Sequence, residues 1–141
     1  MYLVDTNVIS APAPSRVPPP ELTTWMHAHS TDLFLSTVTI AEIEDGIAKA
    51  KREGATRKVT NLAAWLETTL HLYAPRILPF DLPTARLAGH LSDQARAKGH
   101  APGFADIIIA ATAQRHGMTI LTRNLRHFAV VPVGWTGSGG E

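Results

Sequence analysis

Apolar residues in this chain follow two rhythms. Short unbroken runs at 2–4 (YLV), 33–36 (LFLS), 77–78 (IL, with Phe80 close behind) and 118–122 (MTILT) are bounded by polar or turn residues. Runs of this length without alternation fit strands buried on both faces of a parallel sheet. The longer stretches between them carry helical spacing. Ile40, Ile43, Ile47 and Ala50 share one stripe, Val59, Leu62, Ala63, Leu66, Leu70 and Tyr73 a second, and Leu87, Ala88, Leu91 and Ala95 a third. Thr39-x-x-Glu42 has the form of a capping box opening the first of these helices. Pro75 stops the second, and Asp81-Leu82-Pro83 opens the third, which ends by Gly99. Residues 21–29 predict a further short helix carrying Trp25 inward. Between Pro102-Gly103 and Gly117 the chain predicts a helix apolar nearly all round, and therefore packed between other layers.

Strands alternating with crossover helices predict an α/β fold, a three-layer α/β/α sandwich around a short parallel sheet. We expect one domain over residues 1–133, with Val130-Val131 as a last edge strand, and a flexible Gly-rich tail over 134–141. Residues 10–21 hold five of the ten prolines. They exclude helix and inner strand, leaving an extended connector or a flap beside a site.

Composition narrows the class. A chain of 141 residues with 18% charged and 45% hydrophobic residues is globular, with one sizeable core. Its net charge of +1 means that any nucleic-acid surface has to be local. The absence of cysteine removes disulfides and thiolate metal sites and fits a reducing cytoplasm. Residues 1–7 lack a basic n-region, and no apolar run approaches the ~20 residues of a membrane helix, so we expect a cytoplasmic protein without membrane attachment. Residues 49–58 carry five of the thirteen basic residues around Gly54. Such a run is a solvated helix end or a contact for an RNA backbone.

Three acids stand out. Asp5 follows the first strand, Glu42 follows the second, and Asp106 heads the apolar helix before MTILT. Each has an ordinary explanation: Asp5 as a helix cap, Glu42 in its capping box, Asp106 in the favourable first turn of a helix. Ligands of open α/β sheets bind at the carboxyl ends of the strands, where all three would converge. Unpaired carboxylates 4 Å apart repel by about 4 kcal/mol at a surface-like dielectric. A hard divalent ion relieves that repulsion and suits phosphodiester hydrolysis by an activated water. Apart from His127, the histidines His27, His29, His71, His90, His100 and His116 show no zinc-binding spacing.

LVDTNVIS near the start, STVTIAEIEDGIAKAK in the centre and ADIIIAATAQRHGMTILTRN late in the chain together resemble the PIN-domain ribonucleases, in particular the VapC/FitB-like toxins of bacterial toxin–antitoxin pairs. The resemblance runs from Met1 to about Phe128. It implies a metal-dependent endoribonuclease in which Asp5, Glu42 and Asp106 hold Mg²⁺ or Mn²⁺. Thr6, Asn7, Thr122 and Asn124 match the supporting positions, and Arg123 and Arg115 are candidate contacts for RNA phosphate. It also implies a homodimer and a DNA-binding antitoxin whose C-terminal segment covers the site. Family members often carry acids where this chain has Asn124 and His127, which leaves open whether one ion or two are held. Two other readings follow from the residues. One is a PIN-like module that binds RNA or antitoxin without cutting. The other is a phosphatase with Asp5 as nucleophile, weakened by Asn7 at the usual place of its acid/base.

Overall fold

The computed structural model describes residues 1–9, 20–123 and 135–137. Among them, the first apolar run forms the central strand β1 (Tyr2–Val4), and the second forms β2 (Leu33–Ser36). Ile77–Leu78 is β3, Thr119–Thr122 is β4 and Trp135–Gly137 is β5. The sheet order is β3-β2-β1-β4-β5, with every pair parallel. Helices α1 (Thr6–Ile9) and α2 (Pro20–Ala28) follow β1, α3 (Thr37–Arg52) and α4 (Thr56–Tyr73) follow β2, and α5 (Leu82–Ala97) and α6 (Phe104–His116) follow β3.

Side chains alternate across a strand, so neighbouring residues of β1 and β4 serve different layers. Leu3 and Ile120 pack with Ala88 and Leu91 of α5 and with Ile107, Ile109 and Ala110 of α6. Val4 and Leu121 pack on the other face with Leu33, Leu35, Ile43 and Leu66, which brings α3 and α4 against the sheet. The expected three-layer α/β/α sandwich is thus formed, and α6 is buried over Ile107–Ala113 as its apolar composition requires. Gly117 closes that helix in the left-handed conformation, at φ 66°. Trp25 packs against the second core cluster and stacks on His29 at 4.2 Å between centroids.

Three expectations change. Helix α3 begins at Thr37, capped by Ser36, whose hydroxyl accepts from Val38 N–H at 3.1 Å. Thr39 is fully buried inside the first turn and is not the cap, so Glu42 is not the closing residue of a capping box. Phe80 does not extend β3: it is exposed, with its ring edge-on to Phe104 at 6.2 Å. The stretch expected to be a frayed tail contains β5, whose Trp135, Thr136 and Gly137 pair with Ile120, Leu121 and Thr122. The expected strand at Val130-Val131, the proline-rich segment 10–19, and Asn124 and His127 lie outside the described residues. Among the described residues no helix is long and apolar enough to cross a membrane.

Candidate functional site

The parallel register brings the ends of β1 and β4 side by side, with Val4 opposite Leu121. Asp5 is the next residue, and its N–H extends the ladder to the Leu121 carbonyl at 2.9 Å. Asp5 as a whole is 6% exposed. One carboxylate oxygen, Oδ2, accepts from the hydroxyl of fully buried Thr122 at 2.9 Å, and Oδ1 accepts from Thr6 N–H at 2.8 Å. Its backbone carbonyl receives the N–H groups of Val8 and Ile9, which starts α1. The helix-start role expected of Asp5 and its place at the strand end therefore hold together.

Thr6 links this strand end to α3. Its hydroxyl donates to Oε1 of Glu42 and lies 3.4 Å from the Thr39 hydroxyl. Glu42 is exposed, on the second turn of α3. Asp106 sits in the first turn of α6, its Oδ2 3.9 Å from where a side chain on Gly103 would begin. Both acids act on Asp5. Burial is the largest influence and raises its carboxyl above the usual range; the hydrogen bonds from Thr122 and Thr6 oppose this, and repulsion from Asp106 and Glu42 raises it further. Among the described residues, the charged groups acting on Asp5 are thus both negative. Asp106 and Glu42 lie close enough to repel Asp5, yet no group of three His, Cys, Asp or Glu side chains lies at metal-ligating range among the described residues.

Asn7 adds a second feature. Its Oδ1 accepts from Arg123 N–H at 3.2 Å, which ties α1 to the end of β4. Its Nδ2 is buried with no hydrogen-bond partner among the described residues. A buried donor left unpaired costs about 1–3 kcal/mol, so this amide is poised for an acceptor oxygen. The side-chain groups of the three acids, Thr6 and Thr122 are all oxygen donors, the chemistry preferred by Mg²⁺ or Mn²⁺, and a divalent charge fits the repulsion at Asp5.

Asp5, Thr6 and Thr122 are therefore joined by hydrogen bonds at the ends of β1 and β4, Glu42 is bonded to Thr6, Asn7 to the backbone of the exposed Arg123, and Asp106 is within electrostatic reach of Asp5. Arg115 is not brought there. It lies nine residues along α6 from Asp106, about 13 Å by helical rise, and its guanidinium is 3.7 Å from the Asp81 carboxylate. The roles of Ser36 and Thr39 are not evident from local pattern. Three hydroxyl residues crowd the sequence STVT, and the end of the apolar run at Leu35 is the signal that favours Ser36 as cap.

Residues 2–133 match the PIN domain family. The toxin FitB of Neisseria gonorrhoeae is 36% identical over 135 residues, spanning 94% of each chain. The VapC ribonuclease Y4jK of Sinorhizobium fredii is 37% identical over 129 residues, 91% of this chain and 90% of the relative. A solved structure of FitAB bound to a DNA fragment superimposes with a TM-score of 0.78 at 34% identity, over 100% of this chain and 97% of that one.

Proposed function

The chain belongs to the PIN-domain family, and on that premise we propose that it is a metal-dependent endoribonuclease, the toxin of a bacterial toxin–antitoxin pair. One observation carries the proposal: a buried carboxylate, Asp5, at the end of the central strand, with two further acids facing it and, among the described residues, no cation in the groups that set its charge. Asp5, Asp106 and Glu42 would hold Mg²⁺ or Mn²⁺. When bound, the ion supplies an acidified water and neutralises charge on the scissile phosphate. The chain's residues do the rest. Thr122 and Thr6 fix the two oxygens of Asp5, Thr6 also restrains Glu42, and the buried Nδ2 donor of Asn7 is available to a phosphate oxygen or a water. Asn124 completes the supporting set.

The relatives named toxin and ribonuclease support this reading, as does the FitAB assembly on DNA. We place the protein in the cytoplasm as a homodimer, silenced by an antitoxin that binds DNA and lays its C-terminal segment over the carboxylates. The deciding experiment is cleavage of structured cellular RNA by purified protein in Mg²⁺, in Mn²⁺ and in EDTA, beside Asp106→Asn. Metal-dependent cutting that falls by roughly a hundredfold or more in the variant is the expected result, since charge stabilisation is usually the largest single contribution to such catalysis. RNA or antitoxin binding with no cutting in either metal would instead make the protein a binding module.

A further inference from the structure

The basic residues are not spread evenly. Lys49, Lys51, Arg52, Arg57 and Lys58 fall within ten residues, against one acid, Glu53. The rest of the chain holds eight basic and eleven acidic residues and is net acidic. All five cations are exposed, at the tip where α3 turns into α4 through Gly54, at φ 75°. None of them forms an ion pair among the described residues, where the pair formed is Arg115 with Asp81. Three of the five suit their position: Lys49, Lys51 and Arg52 lie in the last turn of α3, where the helix dipole favours cations. The other two do not. Arg57 and Lys58 occupy the first turn of α4, which has no acid and no side-chain cap. Cations at that end oppose the dipole, so their placement weakens the hairpin that carries them. A local rule broken without a compensating interaction in the fold is expected where function requires it.

We propose that this hairpin tip is a docking surface for the phosphate backbone of the RNA substrate, remote from the cleavage centre; this deepens the ribonuclease reading and rests on it. The occupant follows from charge. Three acids near one strand end repel a polyanion, and a nearly neutral protein has to hold it elsewhere. The tip concentrates the positive charge that the rest of the chain lacks. Arg52 lies ten residues along α3 from Glu42, about 15 Å by helical rise, a span that a folded RNA crosses with one end at the carboxylates. Binding to phosphates is independent of base identity, so the tip contributes affinity and orientation and leaves the choice of cleavage site to the residues around the carboxylates.

The test measures binding of a mixed-sequence single-stranded oligoribonucleotide in EDTA at several salt concentrations, with the RNA checked for integrity. The full-length parent, Arg57→Gln/Lys58→Gln and Glu53→Gln are compared. All three positions are exposed, and glutamine keeps helix propensity. Each phosphate that is no longer neutralised makes the salt dependence shallower by about 0.7 on a log–log plot for single strands, so the slope of the double variant falls by about 1.4. Raising salt from about 50 to 200 mM then weakens it roughly sevenfold less than the parent. Glu53→Gln binds tighter than the parent. Equal slopes for parent and double variant overturn the proposal, as does a weakening seen on duplex DNA of the same length and not on RNA. The two readings fail separately: a shallower slope in a protein that cuts no RNA in any metal sinks the enzyme and keeps the docking surface, whereas normal cutting with unchanged slopes does the reverse.

Discussion

Asp5 bears opposed demands. Its position at a strand end buries it, its two acidic neighbours repel it, and two hydrogen bonds hold it ionisable. Because its folded pKa is raised, the ionised form costs stability without metal. The cost is present at neutral pH, diminishes as pH falls through the window between the raised folded value and the unfolded one, and is gone below about pH 4. Asp5→Asn is therefore expected to melt higher than the parent in EDTA at pH 7, with the difference vanishing toward pH 4; thermal melts across that range decide it. A parent that is the more stable at neutral pH would mean that the hydrogen bonds outweigh burial. Thr122→Val keeps the shape and removes the donor to Oδ2. It should lower metal-free stability by about 1–3 kcal/mol in urea titrations, the usual cost of an unmet buried polar group.

At the level of elements, the start of α3 decides where Glu42 points. Ser36→Ala removes the hydroxyl that meets Val38 N–H and should cost about 1 kcal/mol, within the roughly 0.5–2 typical of N-caps. Glu42→Gln leaves that cap untouched and should change stability by less than about 0.5 kcal/mol, as exposed positions usually do. Were the capping box real, the order would be reversed, so chemical denaturation of the two variants separates the accounts. Much of this level is legible in the sequence. Buried parallel strands and a buried helix announce themselves as continuous apolar runs, which is why Leu33–Ser36, Thr119–Thr122 and α6 lie close to the bounds their sequence predicts. What stays hidden depends on partners distant in sequence. Ser36 and Thr39 compete on equal local terms until the strand's end is known. Trp135–Gly137 becomes a strand only because β4 offers it an edge. The convergence of Asp5 with Glu42 and Asp106 is expected from the carboxyl ends of parallel strands, but the hydrogen bonds that Thr6 and Thr122 make there depend on the sheet order, which no local window contains.

For the whole molecule, the described sheet ends at β3 on one side and β5 on the other. Stopping the chain after residue 134 would strip β5 from β4 and leave an open edge beside the strand that carries Thr122. The shortened protein should melt several degrees lower, at roughly 3–5 °C per kcal/mol for a domain of this size, and aggregate on heating. A melt unchanged from the parent would show that β5 adds nothing to the edge. The same topology sets a clock. Asp5 is translated 117 residues before Thr122, which holds its carboxylate. At about 5–20 residues per second, the first acid waits roughly 6–23 seconds for its partner. Until β4 leaves the ribosome, the nascent chain has no strand on that side of β1 and no finished arrangement of carboxylates. A protein proposed to destroy RNA thus has no complete site until the segment that carries Thr122 has been synthesised.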